Sequence, residues 1–317
     1  MEAASSMKDL SRKPNPFVEL GHRIRKHPWL YAMIVPTIVY FILFQYYPML
    51  GIVIAFKKFT LKGGMFGGEW EGLKYFLKLF NDNTFWRVFR NTVIISTGKV
   101  LIGFPLPILI ALLLNEFRSS AVKRTVQTII YLPRFLSWVI LGGILCNLFA
   151  QDGGAINQWL RTAGKEPINI LSNPKNFRWT LIISDAIKGA GWGSIIYMAT
   201  ISGIDTDMYE AAVVDGVGRY KQIWYITLPN LLPTMSIMLI LALGGIMNAG
   251  FDQVLVLYNS AVYSTGDIID TYVYRQGLQD SKYSLSTAAG VFKSVIGCVM
   301  IYLSNLAARK CGQEGLF

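Results

Sequence analysis

Charged residues are scarce in this 317-residue chain, since 15% of its residues are Asp, Glu, Lys or Arg whereas 53% are hydrophobic. A soluble domain carries closer to a quarter charged residues. Several apolar stretches reach the roughly 20 residues needed to cross the hydrocarbon core of a bilayer. The composition therefore excludes an ordinary soluble domain and predicts an all-α membrane protein with several spans.

Residues that build cofactor and metal sites are also few. The three cysteines, Cys146, Cys298 and Cys311, form no C-x-x-C pair, and their spacing indicates neither a disulfide framework nor a metal site. The phosphate-binding sequence G-x-x-x-x-G-K-[ST] is absent, and Gly98-Lys99 is followed by Val within an apolar run. We therefore expect no metal and no cofactor in this chain, and no ATP hydrolysis by P-loop chemistry.

The net charge of +11 does not indicate a nucleic-acid-binding protein. Most basic residues lie at the ends of apolar segments, where they meet lipid headgroups and water. No RNA- or DNA-binding motif accompanies them. We expect membrane lipid, and no nucleic acid, as the partner of these charges.

The apolar stretches predict six transmembrane helices in one membrane domain, with no internal repeat. Pro105 and Pro107 should kink the second helix. The predicted helices cover about 30–54, 91–114, 131–150, 179–201, 234–257 and 286–307. The predicted domain organisation is a basic tail at 1–28, a transmembrane domain at 29–310 with a polar loop at about 203–233, and a tail at 311–317.

The N-terminal tail lacks a signal-peptide cleavage site, so we expect the first helix to be a retained anchor. An even number of spans places both termini on one side of the membrane. Lys and Arg are divided almost equally between the two sides, so the positive-inside rule favours cytoplasmic termini only marginally. Three substantial loops then lie outside, at about 57–90, 151–178 and 258–285, and the second has the turn residues of a compact structure.

The polar loop between the fourth and fifth spans has an ordered pattern of residue types. Asp207 and Glu210 have the spacing of a capping box at the start of a short helix. Gly216 and Gly218 should end that helix in a tight turn. A second short helix, 219–225, should end before Pro229, ahead of a fifth span that starts near residue 234. The alternative is an ordinary amphipathic loop at the membrane surface.

The Glu-Ala-Ala sequence at 210–212, the glycine six residues after the Glu, and Ile226-Thr227-Leu228-Pro229 resemble the EAA loop of ABC importer permeases. From about Tyr47 to Leu306 the chain looks like six-helix sugar permeases of the MalF-like carbohydrate-uptake class, and most like the LplB/YteP-like permeases for polysaccharide fragments. Four further stretches carry this resemblance: Tyr131-Leu132-Pro133, Lys188-Gly189-Ala190-Gly191-Trp192-Gly193, Ser202-Gly203-Ile204-Asp205 and Asp270-Thr271-Tyr272-Val273-Tyr274-Arg275.

The resemblance implies a type I importer permease of MetI/MalF-like fold in the cytoplasmic (inner) membrane. The implied partners are a second homologous permease, two ATPase subunits that hold ATP and Mg, and an extracytoplasmic sugar-binding protein that delivers an oligosaccharide. The chain would then be a transport subunit and no enzyme, with its EAA loop facing cytoplasmic ATP. The residues that the resemblance implies in coupling to the ATPase are Glu210, Ala211, Ala212, Asp215, Gly216, Leu228 and Pro229.

Ionisable residues within the spans suggest a second functional region, because charges at membrane depth are costly. Lys99, Lys188 and Lys293 fall in a similar layer of three helices. Asp185 lies three residues before Lys188, the offset of an intrahelical pair. Two hypotheses stay open. Carboxylates neutralise the lysines and determine helix register, or surplus lysines line the pore and attract an acidic, uronate-type sugar.

Sugar recognition needs polar groups beside aromatic faces. The fifth predicted span carries Asn248, Asp252 and Gln253, and the fourth carries Trp192 and Tyr197. Helical spacing would bring Asn248, Asp252 and Asn259 to one face. These residues, together with the three lysines, are candidates for a substrate pathway. The alternative is that their polar groups bond neighbouring helices.

Three alternatives to a sugar importer remain. The first is an ABC permease for another solute class. The second is a channel or secondary transporter that needs no ATPase, which leaves the EAA-like loop unexplained. The third is a membrane-embedded enzyme, which would need paired acids or a histidine cluster at an interface, whereas His22 and His27 are the only histidines.

Overall fold

A computed structural model describes residues 25–310. The two predicted tails therefore lie largely outside the described residues. Within 25–310 there is no β-strand, and a single isolated bridge joins Lys57 and Trp70. The helices are α1 (Pro28–Phe56), α2 (Lys74–Phe80), α3 (Asn83–Gly103), α4 (Pro105–Asn115), α5 (Ser120–Phe135), α6 (Trp138–Phe149), α7 (Ala155–Thr162), α8 (Pro174–Ser202), α9 (Thr206–Val214), α10 (Arg219–Gly244), α11 (Phe251–Leu257), α12 (Tyr263–Gly266), α13 (Ile269–Tyr274) and α14 (Tyr283–Lys310).

Length and apolar composition support four membrane-spanning segments among the described residues, or five if the bent pair α5–α6 is one span. The four are α1, the segment Asn83–Asn115 that comprises α3 and α4, α10, and α14. Helix α8 has 29 residues, but Asp185, Lys188 and three glycines lower its hydropathy. The helical membrane class is confirmed, whereas length and composition do not reproduce the six predicted spans.

The second predicted span is interrupted where its prolines begin. Helix α3 ends at Gly103 and α4 starts at Pro105, but together they form one apolar segment, Asn83–Asn115, so the kink stays a prediction. Proline suits the first position of a helix because its missing N–H has no intrahelical partner there. The start of the span, however, lies at Asn83 and not near 91, because Asp82 caps α3 by accepting a 2.8 Å hydrogen bond from the Thr84 N–H.

The third predicted span, at about 131–150, is wrong as a continuous helix. Helices α5 and α6 meet at an angle of 101°. Ser137 caps α6, its Oγ accepting from the Ile140 N–H at 3.2 Å, and Pro133 supplies no N–H in the last turn of α5. Hydropathy does not register such a break, because apolar residues continue on both sides of it.

The fifth predicted span is also divided differently. Helix α10 begins at Arg219, passes through Pro229 and ends at Gly244, so the predicted separate helix at 219–225 is wrong. A π-helical turn at Ile223–Thr227 precedes Pro229, and π turns are one way in which a helix accommodates the N–H that proline lacks. Residues 245–250 are not α-helical, and α11 follows them.

This division overturns the predicted shared face of three polar residues in the fifth span. Asn248 lies in the break, Asp252 lies in the first turn of α11, and Asn259 lies beyond the end of α11. Asn259 instead caps a 3₁₀ turn by accepting from the Ala261 N–H at 3.0 Å. Helical spacing cannot relate residues that a break separates.

Helix α8 lies at the centre of the fold, where it packs against α3, α4, α5 and α10. Its C-terminal half contributes Tyr197, Met198 and Ile201 to an apolar cluster with α4 and α10. Helix α1, in contrast, has no buried residue before its last turns, which pack on α14. The central position of α8 makes it the element through which the others are connected.

The predicted compact structure of the loop at 151–178 agrees with the contacts of Asn157, whose side chain is 1% exposed. Its Nδ2 donates to the carbonyls of Ala150 at 3.0 Å and Ile168 at 3.1 Å, and its Oδ1 accepts from the Ile168 N–H at 2.7 Å. This buried amide therefore holds Ile168 close to the end of α6.

The segment at 258–285 is held by the fully buried Asp267. Arg275 donates to both of its carboxylate oxygens, at 3.2 and 2.6 Å, and Thr271 Oγ1 donates at 2.8 Å. Burial lowers the pKa of the Arg275 guanidinium, but the bonds to Asp267 and its charge outweigh this, so the pKa lies above its ordinary value. These bonds therefore join the residues just before and just after α13.

Candidate coupling loop and transport cavity

The EAA-like sequence forms helix α9, which is joined to α8 by only three residues, 203–205. The helix starts two residues earlier than a cap at Asp207 would allow. Asp205 is the N-cap residue, and its Oδ1 accepts from the Asp207 N–H at 3.0 Å. The predicted capping box between Asp207 and Glu210 is therefore wrong, because both residues lie within the helix.

Gly216 ends α9 in the manner predicted. Its φ of +73° is left-handed, a conformation that favours glycine. Its N–H donates to the Val213 carbonyl at 3.0 Å, and the Val217 N–H donates to the Ala212 carbonyl at 2.8 Å. These two bonds are those of a Schellman C-cap. Gly218, with φ of −69° and ψ of 158°, has an extended backbone, so the predicted left-handed turn lies at Gly216 and not at Gly218.

Three side-chain contacts brace the loop, two within it and one to the end of α4. The hydroxyls of Tyr209 and Thr227 are 2.9 Å apart, which joins α9 to the base of α10. Gln222 donates to the Val217 carbonyl at 2.9 Å. Arg219 bonds Glu116 at the end of α4, at 2.8 Å. The loop is therefore a short, braced helix-turn-helix, which is the form needed to transmit a rigid-body movement.

The residues implied in coupling lie mostly on the outside of this loop. Ala212 is buried and Leu228 is half-buried. The others, Glu210, Ala211, Asp215, Gly216 and Pro229, are exposed. Large apolar side chains are exposed beside them, namely Met208, Val213, Val214, Tyr220, Trp224 and Tyr225. An exposed apolar patch rimmed by charges is typical of a protein–protein contact.

A cavity of about 550 Å³ lies between α3, α4, α8 and α10. Four of the candidate pathway residues line it: Lys99, Trp192, Tyr197 and Asn248. Asp185, not among those candidates, lines it as well. An indole, an amide and a carboxylate around one space are groups that bind sugar rings and hydroxyls.

Lys99 stands at the wall of this cavity and is held by three groups. Its Nζ donates to the Ala249 carbonyl at 2.8 Å and to Gln253 Oε1, and it pairs with Asp185 at 3.3 Å. The side chain of Lys99 is 9% exposed, whereas that of Asp185 is 40% exposed. The charge that this wall presents to the cavity is therefore the carboxylate of Asp185, with the lysine behind it.

Gly250 makes the approach of Lys99 to the break possible. Its φ is +88°, and a Cβ at this position would stand 2.7 Å from Lys99 Nζ. Gln253 is fully buried and donates to the Leu181 carbonyl and to Ser184 Oγ, both at 2.8 Å. The candidate Gln253 thus bonds neighbouring helices and does not line the cavity.

The other two lysines do not share this wall. Lys188 is 8% exposed, and its Nζ donates to the Leu136 carbonyl at the bend between α5 and α6. The predicted intrahelical pair between Asp185 and Lys188 is absent from the ion pairs of residues 25–310, since Asp185 pairs with Lys99. Lys293 pairs with Asp270 of α13 at 2.5 Å.

Two of the three lysines are therefore neutralised by carboxylates, and the third caps backbone carbonyls. The contacts of Lys99 and Lys293 are those of the structural hypothesis for the lysine layer, whereas Lys188 bonds carbonyls in place of a carboxylate; the substrate roles remain predictions. The candidate Asp252 is exposed at the start of α11, outside the cavity wall.

Sequence patterns did not indicate several groups that the structure brings to these sites. Asp270 is the partner of Lys293 although it lies 23 residues away, and Glu116 is the partner of Arg219 across 103 residues. No periodicity relates residues so far apart. Gly250 carried a detectable signal, because a glycine within an apolar run suggests a break.

Comparison with known proteins agrees with this geometry. Residues 103–311 match the family model described as binding-protein-dependent transport system inner membrane component. Protein LplB of Bacillus subtilis is 42% identical over 294 residues, which is 93% of this chain and 92% of that protein. The polygalacturonan/rhamnogalacturonan transport system permease protein YteP of the same organism is 43% identical over 295 residues, again 93% and 92% of the two chains.

Solved structures show the same fold. A chain of a bacterial ABC transporter involved in the import of the acidic polysaccharide alginate matches with a TM-score of 0.86 and 39% identity, covering 92% of this chain and 99% of that one. The alginate ABC transporter in complex with alginate pentasaccharide-bound periplasmic protein matches with a TM-score of 0.86 and 38% identity, over 93% and 99% of the chains. The fold is thus the MetI-like fold of ABC importer permeases, and the chain belongs to the family of inner membrane components of binding-protein-dependent transport systems.

Proposed function

We propose that this protein is the permease subunit of an ABC importer that takes up oligosaccharides, with uronate-containing oligosaccharides as the foremost class. The observation that carries the proposal is the braced, exposed EAA loop, which connects α8 directly to α10, two helices that bound the same cavity. The partners are a second permease, two ATPase subunits and an extracytoplasmic binding protein. ATP is hydrolysed by the ATPase subunits, and this chain is a transport subunit.

The mechanism follows from the connection of the loop to the cavity. Closure of the ATPase pair moves α9, with Glu210, Ala211 and Asp215 in contact with the ATPase surface and Gly216 maintaining the turn. Ala212, Leu228 and Pro229 hold the loop to its own permease. Because three residues join α9 to α8, this movement reorients α8 against α10 and switches the cavity from inward-open to outward-open.

The membrane arrangement belongs to the same proposal. Six spans result if α5 with α6 counts as one bent span, α10 with α11 as another, and α8 as a further span. The EAA loop must face cytoplasmic ATP, and with six spans both termini then lie in the cytoplasm. The described residues 29–310 form the transmembrane domain, with the coupling loop at about 203–233.

The substrate class is supported by what the relatives transport, because polygalacturonan and alginate are both uronate polymers. Within this chain, Trp192, Tyr197 and Asn248 supply the stacking face and polar groups for a sugar along the cavity. Lys99 does not add a net positive charge there, since Asp185 balances it. Selection for carboxylate groups is therefore expected to depend on the binding protein and the second permease more than on this wall.

Uptake by the complete reconstituted importer tests the proposal. The two permeases, the ATPase pair and the binding protein are placed in proteoliposomes, and labelled neutral and uronate oligosaccharides are offered in turn. We expect ATP-dependent uptake of uronate oligosaccharides that is lost in Glu210→Lys without loss of membrane insertion. Glu166→Lys, a charge reversal in the loop at 151–178, is the matched control and should transport normally.

Other outcomes would select among the alternatives. If only neutral oligosaccharides are taken up, neutral and not uronate oligosaccharides are the substrates. Uptake in the absence of the ATPase subunits would refute an ABC mechanism in favour of a channel or secondary transporter. Uptake of no oligosaccharide by a complex that hydrolyses ATP would refute the substrate class.

A further inference from the structure

Two helix breaks lie within the proposed spans, and each leaves backbone carbonyls without helical partners. One is the 101° bend between α5 and α6, and the other is the segment 245–250 between α10 and α11. The last carbonyls of a helix lack N–H partners within it. In a bilayer core such groups must be satisfied by other parts of the protein.

Lys188 supplies hydrogen bonds to the free carbonyls at the first break. Its Nζ donates to the carbonyl of Leu136 and lies 3.4 Å from the carbonyls of Pro133 and Arg134. It also lies 5.2 Å from the centroid of the Trp138 ring, the first residue of α6. One ammonium group thus contacts the end of α5, the bend and the start of α6, as expected for a cation at a helix C-terminus.

Lys99 supplies a hydrogen bond to a free carbonyl at the second break in a comparable way. Its Nζ donates to the Ala249 carbonyl within the break and to Gln253 in α11. Gln253 in turn donates to the Leu181 carbonyl and to Ser184 of α8, and Asp185 of α8 pairs with Lys99. The second break is therefore also attached to α8, through a buried polar network.

The first break is attached to α8 at Lys188, and the second is attached at Asp185 through Lys99. These two positions lie within a single turn of α8. Helix α8 continues without interruption from Pro174 to Ser202 and leads directly into the coupling loop. Because a continuous packed helix moves as a unit, a displacement of α9 reaches both breaks together. Donors that only bonded the free carbonyls could come from any neighbouring helix. The two donors here, Lys188 and Lys99, are instead both attached to α8, the helix that precedes the coupling loop.

We propose that Lys188 is a positioning residue for transport, which attaches the α5–α6 bend to α8 so that both helix breaks follow the coupling loop. The proposal rests on the proposed function, because it concerns the conformational step of an ABC permease. It assigns Lys188 to the transmission of movement, and not to contact with the sugar. The cavity wall agrees, since Lys188 is not among its residues.

Lys188→Met in the complete reconstituted importer tests this assignment, because methionine keeps an unbranched apolar stem and removes the donors. We expect ATP hydrolysis stimulated by the loaded binding protein to persist, while sugar uptake per ATP hydrolysed falls by about tenfold. Lys188→Arg, which retains donors and charge, should restore most of the uptake. Lys175→Met, an exposed lysine on the same helix, is the matched control and should leave the ratio unchanged.

A distance measurement separates transmission from assembly. Spin labels are placed at Ile140 of α6 and Ile183 of α8, both of which are exposed, in a chain whose three cysteines are replaced by serine. Lys188→Met should broaden or shift the distance distribution, and Lys175→Met should not. If Lys188→Met fails to assemble, Lys188→Gln, which is neutral and carries fewer N–H donors on a shorter side chain, is measured in both assays, and we expect changes in the same direction but smaller.

Three results would overturn the proposal. They are an uptake-to-hydrolysis ratio equal to that of the wild type, an equal fall of hydrolysis and uptake, and an unchanged distance distribution. The first shows that Lys188 is dispensable, the second shows a role in assembly alone, and the third shows that Lys188 does not position the bend against α8. Failure of the wild-type complex to transport any sugar is a different result, and it refutes the proposed function instead.

Discussion

Replacement of Gly216 by alanine should loosen the end of the coupling helix. An added Cβ at position 216 meets no atom within 4 Å, so the effect comes from the backbone alone. The φ of +73° is left-handed, and this conformation costs a non-glycine residue roughly 1–2 kcal/mol. That cost corresponds to a population of the opened turn that is about five- to thirtyfold larger, since 1.4 kcal/mol is a factor of ten.

Hydrogen exchange measures this opening directly. The Val217 N–H reports on the turn, because it donates to the Ala212 carbonyl at 2.8 Å. Mass spectrometry of a peptide that covers this amide should show exchange that is faster by the same about five- to thirtyfold factor in Gly216→Ala. Gly216→Asn should show a smaller effect, because asparagine tolerates the left-handed conformation better than alanine.

Gly218→Ala is the matched control for this prediction. It lies two residues away, a Cβ there also meets no atom within 4 Å, and its φ of −69° is one that alanine adopts readily. Its exchange should remain that of the wild type or become slower. Equal exchange in Gly216→Ala and Gly218→Ala would refute the argument from the left-handed backbone.

Three further predictions concern the cavity and the loops. Asp185→Asn removes the carboxylate that faces the cavity. The apparent KM for uptake of uronate oligosaccharides should therefore fall, whereas the KM for neutral oligosaccharides should change little. A larger change in KM for the neutral oligosaccharides would contradict the inference that this wall presents a negative charge. Asn157→Ala leaves buried backbone groups unpaired and should lower the Tm in a thermal melt by about 5 °C, while Gln158→Ala, an exposed neighbour, should not. Arg275→Lys keeps the charge but loses the two-pronged bond to Asp267, so the Tm should fall by a few degrees, and an unchanged Tm would show that the fork geometry is unimportant.

The coupling loop was largely predictable because its determinants are local. The order Glu-Ala-Ala followed by glycine specifies a short helix and its left-handed cap within a few residues. Two parts of the loop were predicted wrongly. Helix α9 starts at another cap, because Asp205 and Asp207 are both competent cap residues. The predicted helix at 219–225 is the first part of α10. The coupling roles of the individual residues remain predictions.

The partners of the intramembrane charges were not predictable in the same way. Offset along the helix favoured a pair between Asp185 and Lys188, yet the two side chains attach to different neighbours, Lys99 and the bend after α5. An intrahelical pair gains little, whereas a lysine that caps free carbonyls in an apolar surrounding relieves a large desolvation cost. The sequence did not show where those carbonyls would be free.

Hydropathy and short-range spacing were enough to predict a helical membrane protein with an EAA-like loop, because both depend on residues that are neighbours in the chain. The positions of the breaks after α5 and α10, the lysine that bonds each break, and the attachment of both to α8 became visible only in the folded chain. The physical reason is that a break in a span becomes tolerable only when another helix supplies the missing hydrogen bonds. Those bonds join residues as far as 150 positions apart. The hydropathy and spacing of one segment do not indicate which distant segment it will contact.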